Sequence, residues 1–120
     1  MTILKFEETP AEVLSERVQR KLIHTENLML VIVDFSGGPW PEPDPLHNHP
    51  HEQVSYVADG EVIFYCEGET EQHLKPGDMF AVPPYIKHSV KLLTKTARLI
   101  DSFTPLREDF LKKGKVQTQI

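Results

Sequence analysis

The chain has 120 residues, 39% of them hydrophobic, and a formal net charge of -5 at pH 7. This length accommodates one domain with one hydrophobic core, and a negative charge without any basic stripe argues against nucleic-acid binding. The sequence has no apolar run of bilayer length, and MTILKFEETP at its start lacks the apolar stretch of a secretion signal, so we expect a cytoplasmic protein with no membrane partner.

Apolar positions recur with a period near two, or in short branched and aromatic runs between regularly spaced turn signals, and this pattern predicts an all-β chain. The N-terminal segment TPAEVLSERV is compatible with the start of a helix. The predicted strands are, in chain order, Arg17 to His24, Leu28 to Phe35, Val54 to Ala58, Glu61 to Cys66, Thr70 to Leu74, Met79 to Val82, His88 to Leu93 and Ala97 to Phe103. Such a series of short strands is typical of a sandwich or a barrel.

Two connections between these strands have a distinctive composition. Between Ser36 and Leu46, SGGPWPEPDPL contains four prolines and is expected to form an extended surface loop, because proline has no backbone donor. Trp40 in this loop is either a platform for stacking a sugar or a hydrophobic plug. Asp59-Gly60 predicts a hairpin, since glycine accepts the positive φ of a tight turn.

The last predicted element is a short helix in TPLREDFLKKG. Thr104 is expected to cap it, Arg107 to lie in its first turn, and Gly114 to end it. Leu106 and Phe110 are four residues apart and would form its apolar side.

Three histidines fall within five residues in HNHPH, directly before a predicted strand. His47 and His49 are two apart, so on an extended strand both rings project from one face and can hold one ion. Gln53 opens the next strand and can turn back toward the same ion, and a sheet closed on itself can add His88. The residues therefore predict one metal site with four ligands, His47, His49, Gln53 and His88. The alternative is that the histidines cluster by chance.

This ligand set suits a late first-row divalent ion such as Ni, Zn, Fe or Mn. All four ligands are neutral, so the ion keeps its full charge, which favours Lewis-acid chemistry over redox chemistry. Isolated histidines are more often surface or hydrogen-bonded residues, and we interpret His24, His51 and His73 in this way. Glu52 precedes Gln53 directly, so its side chain points to the opposite face of the strand. It is expected to face solvent, unless a register shift makes it the ligand.

The chain resembles the small single-domain cupins over nearly its whole length, as one domain from 1 to 120. The first cupin motif corresponds here to His47, His49, Gln53 and Gly60, and the second to Gly77, Pro83, Tyr85 and His88. Glutamine stands where cupins usually have glutamate, and tyrosine where the second motif has glycine. The resemblance implies a double-stranded β-helix, also called a jelly-roll barrel, with a short C-terminal helix.

A narrower similarity is to the KdgF family of pectin and alginate catabolism, in HNHPHEQVSYVADGE, PGDMFAVPPYIKHSV and above all LIDSFTPLREDFL. It implies a metal-dependent enzyme that opens 4,5-unsaturated monouronates, which polyuronate lyases release, into linear ketonised sugar acids. It also implies a small anionic sugar as substrate and a homodimer. The family's metal ligands and its active-site trio carry over to His47, His49, Gln53 and His88, and to Asp101, Phe103 and Arg107.

The implied trio is chemically consistent with that reaction. Asp101 and Phe103 share a face of the last strand, and Arg107 follows closely, so all three can border one pocket. A guanidinium can clamp a carboxylate in bidentate fashion, a carboxyl group can move protons, and the phenyl ring can form an apolar floor. From the residues alone, the alternative is a structural ion pair between Asp101 and Arg107.

Two other functions are compatible with the same residues. One is another metal-dependent cupin enzyme, either a dioxygenase or a cyclase, which would need a wide apolar pocket or an oxygen-reactive iron. Activity in the absence of oxygen would count against an oxygenase. The other is a non-catalytic sugar-acid-binding cupin, which would keep its ligand affinity when Asp101 is replaced by alanine.

Overall fold

The computed structural model describes residues 1–111, which form one 3-10 helix, nine strands and one α-helix. The 3-10 helix is Phe6–Glu8, and the strands are β1 Glu12–Val13, β2 Val18–His24, β3 Met29–Phe35, β4 Glu52–Asp59, β5 Val62–Cys66, β6 Gln72–Leu74, β7 Met79–Val82, β8 His88–Leu92 and β9 Ala97–Thr104. The helix, α1, is Glu108–Leu111, and no helix in the described residues is long and apolar enough to cross a membrane.

The strands form two antiparallel sheets, one of six strands in the order β1-β2-β3-β9-β4-β7 and one of three in the order β6-β5-β8. Along β3 and β9 every second side chain is buried, as expected for strands with one face on a core. The buried apolar residues of both sheets form one hydrophobic cluster. The predicted all-β jelly-roll fold with a short C-terminal helix is confirmed, and its assignment as a single domain stays a prediction.

The predicted helix start in TPAEVLSERV is wrong, because this segment contains β1. Glu12 and Val13 pair with Arg20 and Gln19 of β2, and this edge position satisfies backbone groups that an isolated helical turn would leave exposed. The following Leu14 is 5% exposed and joins the core. Tertiary pairing therefore overrides the local helical propensity.

The hairpin predicted at Asp59-Gly60 is also wrong. Gly60 has a φ of 73°, as a tight turn requires, but the strands that it joins belong to different sheets. A Cβ at this position would lie 2.2 Å from the backbone oxygen of Thr96, so the glycine also permits close approach of another chain segment. The turn signal located a bend but could not specify the partner strands.

The C-terminal helix begins later than predicted. Thr104 is the last residue of β9, where it pairs with Glu52, and α1 starts only at Glu108. Thr104 therefore continues the sheet and is not a helix cap, and Arg107 precedes the helix. Phe110 is 3% exposed and Leu106 packs against the core, as predicted, whereas the expected end at Gly114 lies outside the described residues.

The proline-rich segment from Ser36 to Leu46 has no strand, as predicted, and it runs along β8, where the backbone N–H groups of Trp40 and Asp44 donate to the carbonyls of Leu92 and Val90. Trp40 within it donates its backbone N–H to Leu92 and its indole N–H to the Ser36 carbonyl. The ring is 3% exposed, meets Phe35 edge to face at 5.5 Å and lies under the guanidinium of Arg17. Of the two alternatives for Trp40, the structure supports the hydrophobic plug.

Candidate functional site

Three imidazoles converge inside the barrel. His47 precedes β4 and forms an isolated antiparallel bridge with His88, the first residue of β8, and His49 follows two residues after His47. One ring nitrogen from each of the three histidines lies within 4.8 Å of the other two, and all three side chains are buried. Backbone pairing between two separate segments therefore creates the cluster.

The hydrogen bonds of two of these rings determine which nitrogen faces the cluster. Nδ1 of His49 lies 2.8 Å from the carbonyl oxygen of His51, and Nδ1 of His88 lies 2.8 Å from that of Ile86. Since a carbonyl can only accept, both Nδ1 atoms carry a proton, and in the neutral imidazole Nε2 then keeps its lone pair. This arrangement is usual for imidazoles that bind a metal through Nε2.

Gln53 supplies an oxygen beside the same cluster. Its Oε1 lies 3.1 Å from Nε2 of His49, and its side chain is 3% exposed. With the His49 proton on Nδ1, two lone pairs face each other across this distance, which a shared cation would stabilise. Ligand atoms of one ion lie about 3 Å apart when the metal–ligand bonds are about 2.1 Å. The residues present therefore fit a divalent transition ion.

The surroundings keep His49 neutral. Burial is the main cause that lowers its pKa to about 4, and the positive charge of Arg107 adds to the effect. A neutral imidazole at pH 7 is the form that binds a metal. Glu52 is exposed at the start of β4, on the solvent-facing side of the strand as predicted.

Behind Gln53, a chain of hydrogen bonds leads to Asp101. Nε2 of Gln53 donates to Oγ of Ser55 at 2.9 Å, and Oγ donates to Oδ1 of Asp101 at 2.6 Å. We call this chain the serine bridge. Ser55 was missed by the sequence reasoning, although its spacing of two from Gln53 on a predicted strand was an available signal.

Asp101 is completely buried, and its Oδ2 has no hydrogen-bond partner among residues 1–111. Burial raises the pKa of this carboxyl group to about 7, against the opposing effects of the Ser55 hydrogen bond and the charge of Arg107. A carboxyl group with this pKa exchanges protons readily near neutral pH.

Arg107 lies over two aromatic rings beside the cluster. Its guanidinium carbon is 5.3 Å from the centroid of Phe103 and 4.2 Å from that of Phe110, and the Phe103 ring meets His49 edge to face at 5.7 Å. The guanidinium forms two hydrogen bonds with Asp109. Burial acts to raise the pKa of the Asp109 carboxyl, but these hydrogen bonds and the charge of Arg107 lower it on balance. The structural ion pair considered for Arg107 therefore forms with Asp109 and not with Asp101.

A second buried arginine, Arg20, was not found from the sequence. It is 2% exposed on the inner face of β2, its Nη2 contacts Glu12, and its guanidinium carbon is 3.8 Å from the centroid of Phe110. Both Arg20 and Arg107 retain N–H groups without a hydrogen-bond partner in the described part of the chain. Each guanidinium is also paired with a carboxylate, Arg20 with Glu12 and Arg107 with Asp109, so the two arginines and their partners form neighbouring ion pairs at the end of the barrel near α1.

The remaining histidines lie outside the cluster, as expected. His24 is exposed, and His73 is paired with Glu61 on the surface. His51 contributes its carbonyl to orient His49 but no ring nitrogen to the described cluster. Tyr85 is 66% exposed with a φ of 66°, and its backbone N–H donates to the carbonyl of His49, which places it at the rim of the site.

Comparison with known proteins agrees with this geometry. Residues 39–103 match the family described as the cupin domain. The chain is 39% identical over 107 residues to the pectin degradation protein KdgF of Dickeya dadantii (strain 3937), a match that covers 88% of this chain and 94% of that protein. The match to the KdgF protein therefore covers most of both proteins.

Two solved structures share the fold closely. KdgF from Halomonas sp. has a TM-score of 0.82 at 32% identity, over 91% of this chain and 99% of that chain. An RmlC-like cupin from Shewanella frigidimarina NCIMB 400 also has a TM-score of 0.82, at 34% identity, over 92% of this chain and 96% of that chain.

Proposed function

This chain belongs to the cupin family, and on that premise we propose that it is a metal-dependent enzyme that opens 4,5-unsaturated monouronates from pectin or alginate breakdown into linear ketonised sugar acids. The similarity to KdgF proteins supports the choice of substrate. The observation that carries the proposal is the position of a buried carboxyl group, Asp101, one serine away from a buried group of metal-type ligands.

His47, His49, Gln53 and His88 would hold the ion. A divalent ion bound there would supply Lewis-acid polarisation of a substrate oxygen. The charge of the ion would be undiminished by its ligands, because imidazoles and an amide are neutral. The ion could be Ni, Zn, Fe or Mn, all of which accept nitrogen and oxygen ligands.

Ring opening of such a substrate is an isomerisation that needs proton transfer and no electron acceptor. One proton leaves the anomeric hydroxyl, the bond between the anomeric carbon and the ring oxygen breaks, and one proton is added to C4 of the former double bond. We assign these transfers to Asp101. Its raised pKa allows it to hold a proton at neutral pH and to release it to carbon.

Arg107 is proposed to bind the carboxylate of the uronate. Its Nη1 is buried and has no hydrogen-bond partner in the described part of the chain, so one N–H-bearing nitrogen is available for a ligand while Asp109 holds the other side of the guanidinium. Phe103 is proposed to form the apolar floor between this arginine and His49.

We also propose that the protein is a homodimer that pairs through the outer face of its larger sheet. This face carries neighbouring apolar side chains, since the exposed Tyr56 pairs with the exposed Met79 on one side and with the half-buried Ile100 on the other. Met79 is 73% exposed and Val54 is 58% exposed. A continuous apolar patch of this kind is typical of an interaction surface, and pairing two copies of one patch gives twofold symmetry.

The catalytic proposal is tested by following the absorbance of the conjugated double bond when metal-loaded protein is mixed with an unsaturated uronate monomer. We expect the absorbance to fall faster than it does spontaneously, with a linear keto acid as the product in NMR spectra. Chelator-treated protein is the control and should show the spontaneous rate. An unaccelerated reaction with metal confirmed in the protein would contradict the proposal.

A further inference from the structure

Ser55 occupies a fixed position between a proposed metal ligand and the proposed proton carrier. It lies two residues after Gln53 on β4, and in the sheet register it stands directly opposite Asp101 of β9. The side chains of Gln53, Ser55 and Asp101 are 3%, 4% and 0% exposed, so water does not compete for their hydrogen bonds. The backbone therefore dictates that the serine bridge forms.

The single proton of the Ser55 hydroxyl restricts what can stand on either side of it. Because that proton is donated to Asp101, the group on the other side must itself donate, and the amide nitrogen of Gln53 does so. The amide oxygen is then turned toward Nε2 of His49. A glutamate at position 53 would present a second acceptor to this hydroxyl, whose one proton could serve only one of the two carboxyl groups.

We propose that Ser55 is a positioning residue that holds the Gln53 amide with its oxygen toward the imidazole cluster and holds Asp101 through Oδ1, so that Oδ2 stays available for proton transfer. The inference rests on the proposed function for the role of Asp101. It also gives a physical reason for glutamine at a position where cupins usually have glutamate, since the amide is the side chain that can donate to this hydroxyl.

The first test measures affinity for Co²⁺, added alone as a spectroscopic probe, by competition with a chelator. Ser55→Val should weaken Co²⁺ binding about tenfold and change its visible spectrum, because the amide loses the bond that orients it. In Ser55→Thr the side chain has the same shape as valine but keeps the hydroxyl, so this variant should bind Co²⁺ within about twofold of wild type. Equal affinities and spectra for Ser55→Val and Ser55→Thr would overturn the proposal.

The second test is a double-mutant cycle with Ser55→Ala and Gln53→Glu. The loss of Co²⁺ affinity caused by Ser55→Ala should be at least about fivefold smaller when position 53 is a glutamate than when it is a glutamine. With a glutamate there, the hydroxyl can satisfy only one of two carboxyl groups. Additive effects would contradict the serine bridge. This cycle needs only soluble protein, and Ser55→Val can replace Ser55→Ala in it.

A matched control is Ser89→Ala on β8. This serine is also buried in a strand, at 3% exposure, but its hydroxyl has no hydrogen-bond partner in the described residues. Its removal should leave Co²⁺ affinity unchanged. A loss equal to that of Ser55→Val would mean that any buried serine has this effect, and would overturn the inference.

Turnover separates this inference from the proposed function. With unsaturated uronate, Ser55→Val should lower kcat about 100-fold and leave KM within about twofold, whereas Ser55→Thr should retain most of kcat. If the cycle shows coupling but wild type does not turn over uronates, the proposed function fails and the serine bridge stands. If wild type is active but coupling is absent, the serine bridge fails and the function stands.

Discussion

The backbones of His47 and His88 are hydrogen-bonded to each other in both directions, at 3.1 Å from the N–H of His47 and 2.8 Å from that of His88. This bridge joins the segment before β4 to the start of β8 and brings the two ring centroids to 4.4 Å. The backbone bridge therefore holds the two imidazoles side by side, which reduces the ordering that ion binding must impose.

Metal binding should consequently stabilise the folded protein. Addition of Ni²⁺ or Zn²⁺ at about 100 times the dissociation constant should add about 3 kcal/mol to the free energy of unfolding and raise Tm by about 10 °C. His88→Ala should abolish this increase, whereas His73→Ala, which removes a surface histidine, should retain it. Differential scanning calorimetry with and without chelator measures the effect, and an equal increase in both variants would contradict the site.

Replacement of the proposed proton carrier should cost activity while preserving the fold. Asp101→Asn keeps the size of the side chain and an oxygen that can accept from Ser55, but it cannot exchange a proton. We expect kcat on unsaturated uronates to fall by about 10²- to 10⁴-fold. Asp34→Asn, which breaks a surface pair with Arg98, is the matched control and should stay near wild-type kcat. A fully active Asp101→Asn enzyme would exclude this role for the carboxyl group.

The raised pKa of Asp101 also predicts how stability depends on pH in the metal-free protein. Burial raises the pKa of this group from 3.8 to about 7, so between these values the folded state binds more protons than the unfolded state. The free energy of unfolding must then decrease as pH rises through this window.

Urea denaturation at several pH values measures this contribution. Relative to Asp101→Asn, the wild type should lose on the order of 2–4 kcal/mol between about pH 4 and pH 7. The lowered pKa of His49 acts in the opposite direction, but it is present in both proteins and cancels in the difference. Parallel stability curves would show that Asp101 is not perturbed by burial.

The geometry of Arg107 predicts a defect in substrate binding when its planar group is lost. Arg107→Lys keeps the charge but cannot keep both hydrogen bonds to Asp109 and also present a further N–H to a carboxylate. We expect KM to rise about 10- to 100-fold with a smaller change in kcat. Arg98→Lys, on the outer surface, provides the control, and steady-state kinetics that do not separate the two variants would count against a carboxylate contact.

The apolar outer sheet predicts self-association. Tyr56→Lys places a charge in the middle of this face and should convert the proposed dimer to monomer in sedimentation velocity experiments. Gln72→Lys adds the same charge at an exposed position of the smaller sheet and should leave the dimer intact. A wild-type protein that sediments as a monomer would contradict the proposal directly.

The sequence predicted most strands to within two residues because alternation of apolar side chains reports directly on which face is buried. It also predicted that His88 would meet the HNHPH segment, since the spacing of the cupin motifs carries this information. The turn at Gly60 shows the limit of such reasoning, because the same local signal serves a hairpin and a connection between sheets.

The parts of the site that were not predicted depend on which residues face each other across strands. Ser55 matters because the register places it opposite Asp101, and Arg20 matters because its side chain reaches Phe110 from β2. The pairing of Arg107 with Asp109 depends on where α1 begins, which the capping signal at Thr104 misplaced. Pairings of this kind are set by tertiary structure, which a single sequence does not display.

The left-handed backbone of Tyr85 bears on which side chains are tolerated beside the histidine cluster. An L-residue in this conformation costs roughly 1–2 kcal/mol relative to glycine, yet a bulky aromatic side chain stands here, largely in solvent. Since only the main-chain N–H of Tyr85 supports His49, the phenol is independent of the histidine scaffold. Tyr85→Gly would thus relax the main chain and remove an exposed aromatic side chain at once, so the side chain at this position can vary while the support of His49 is kept.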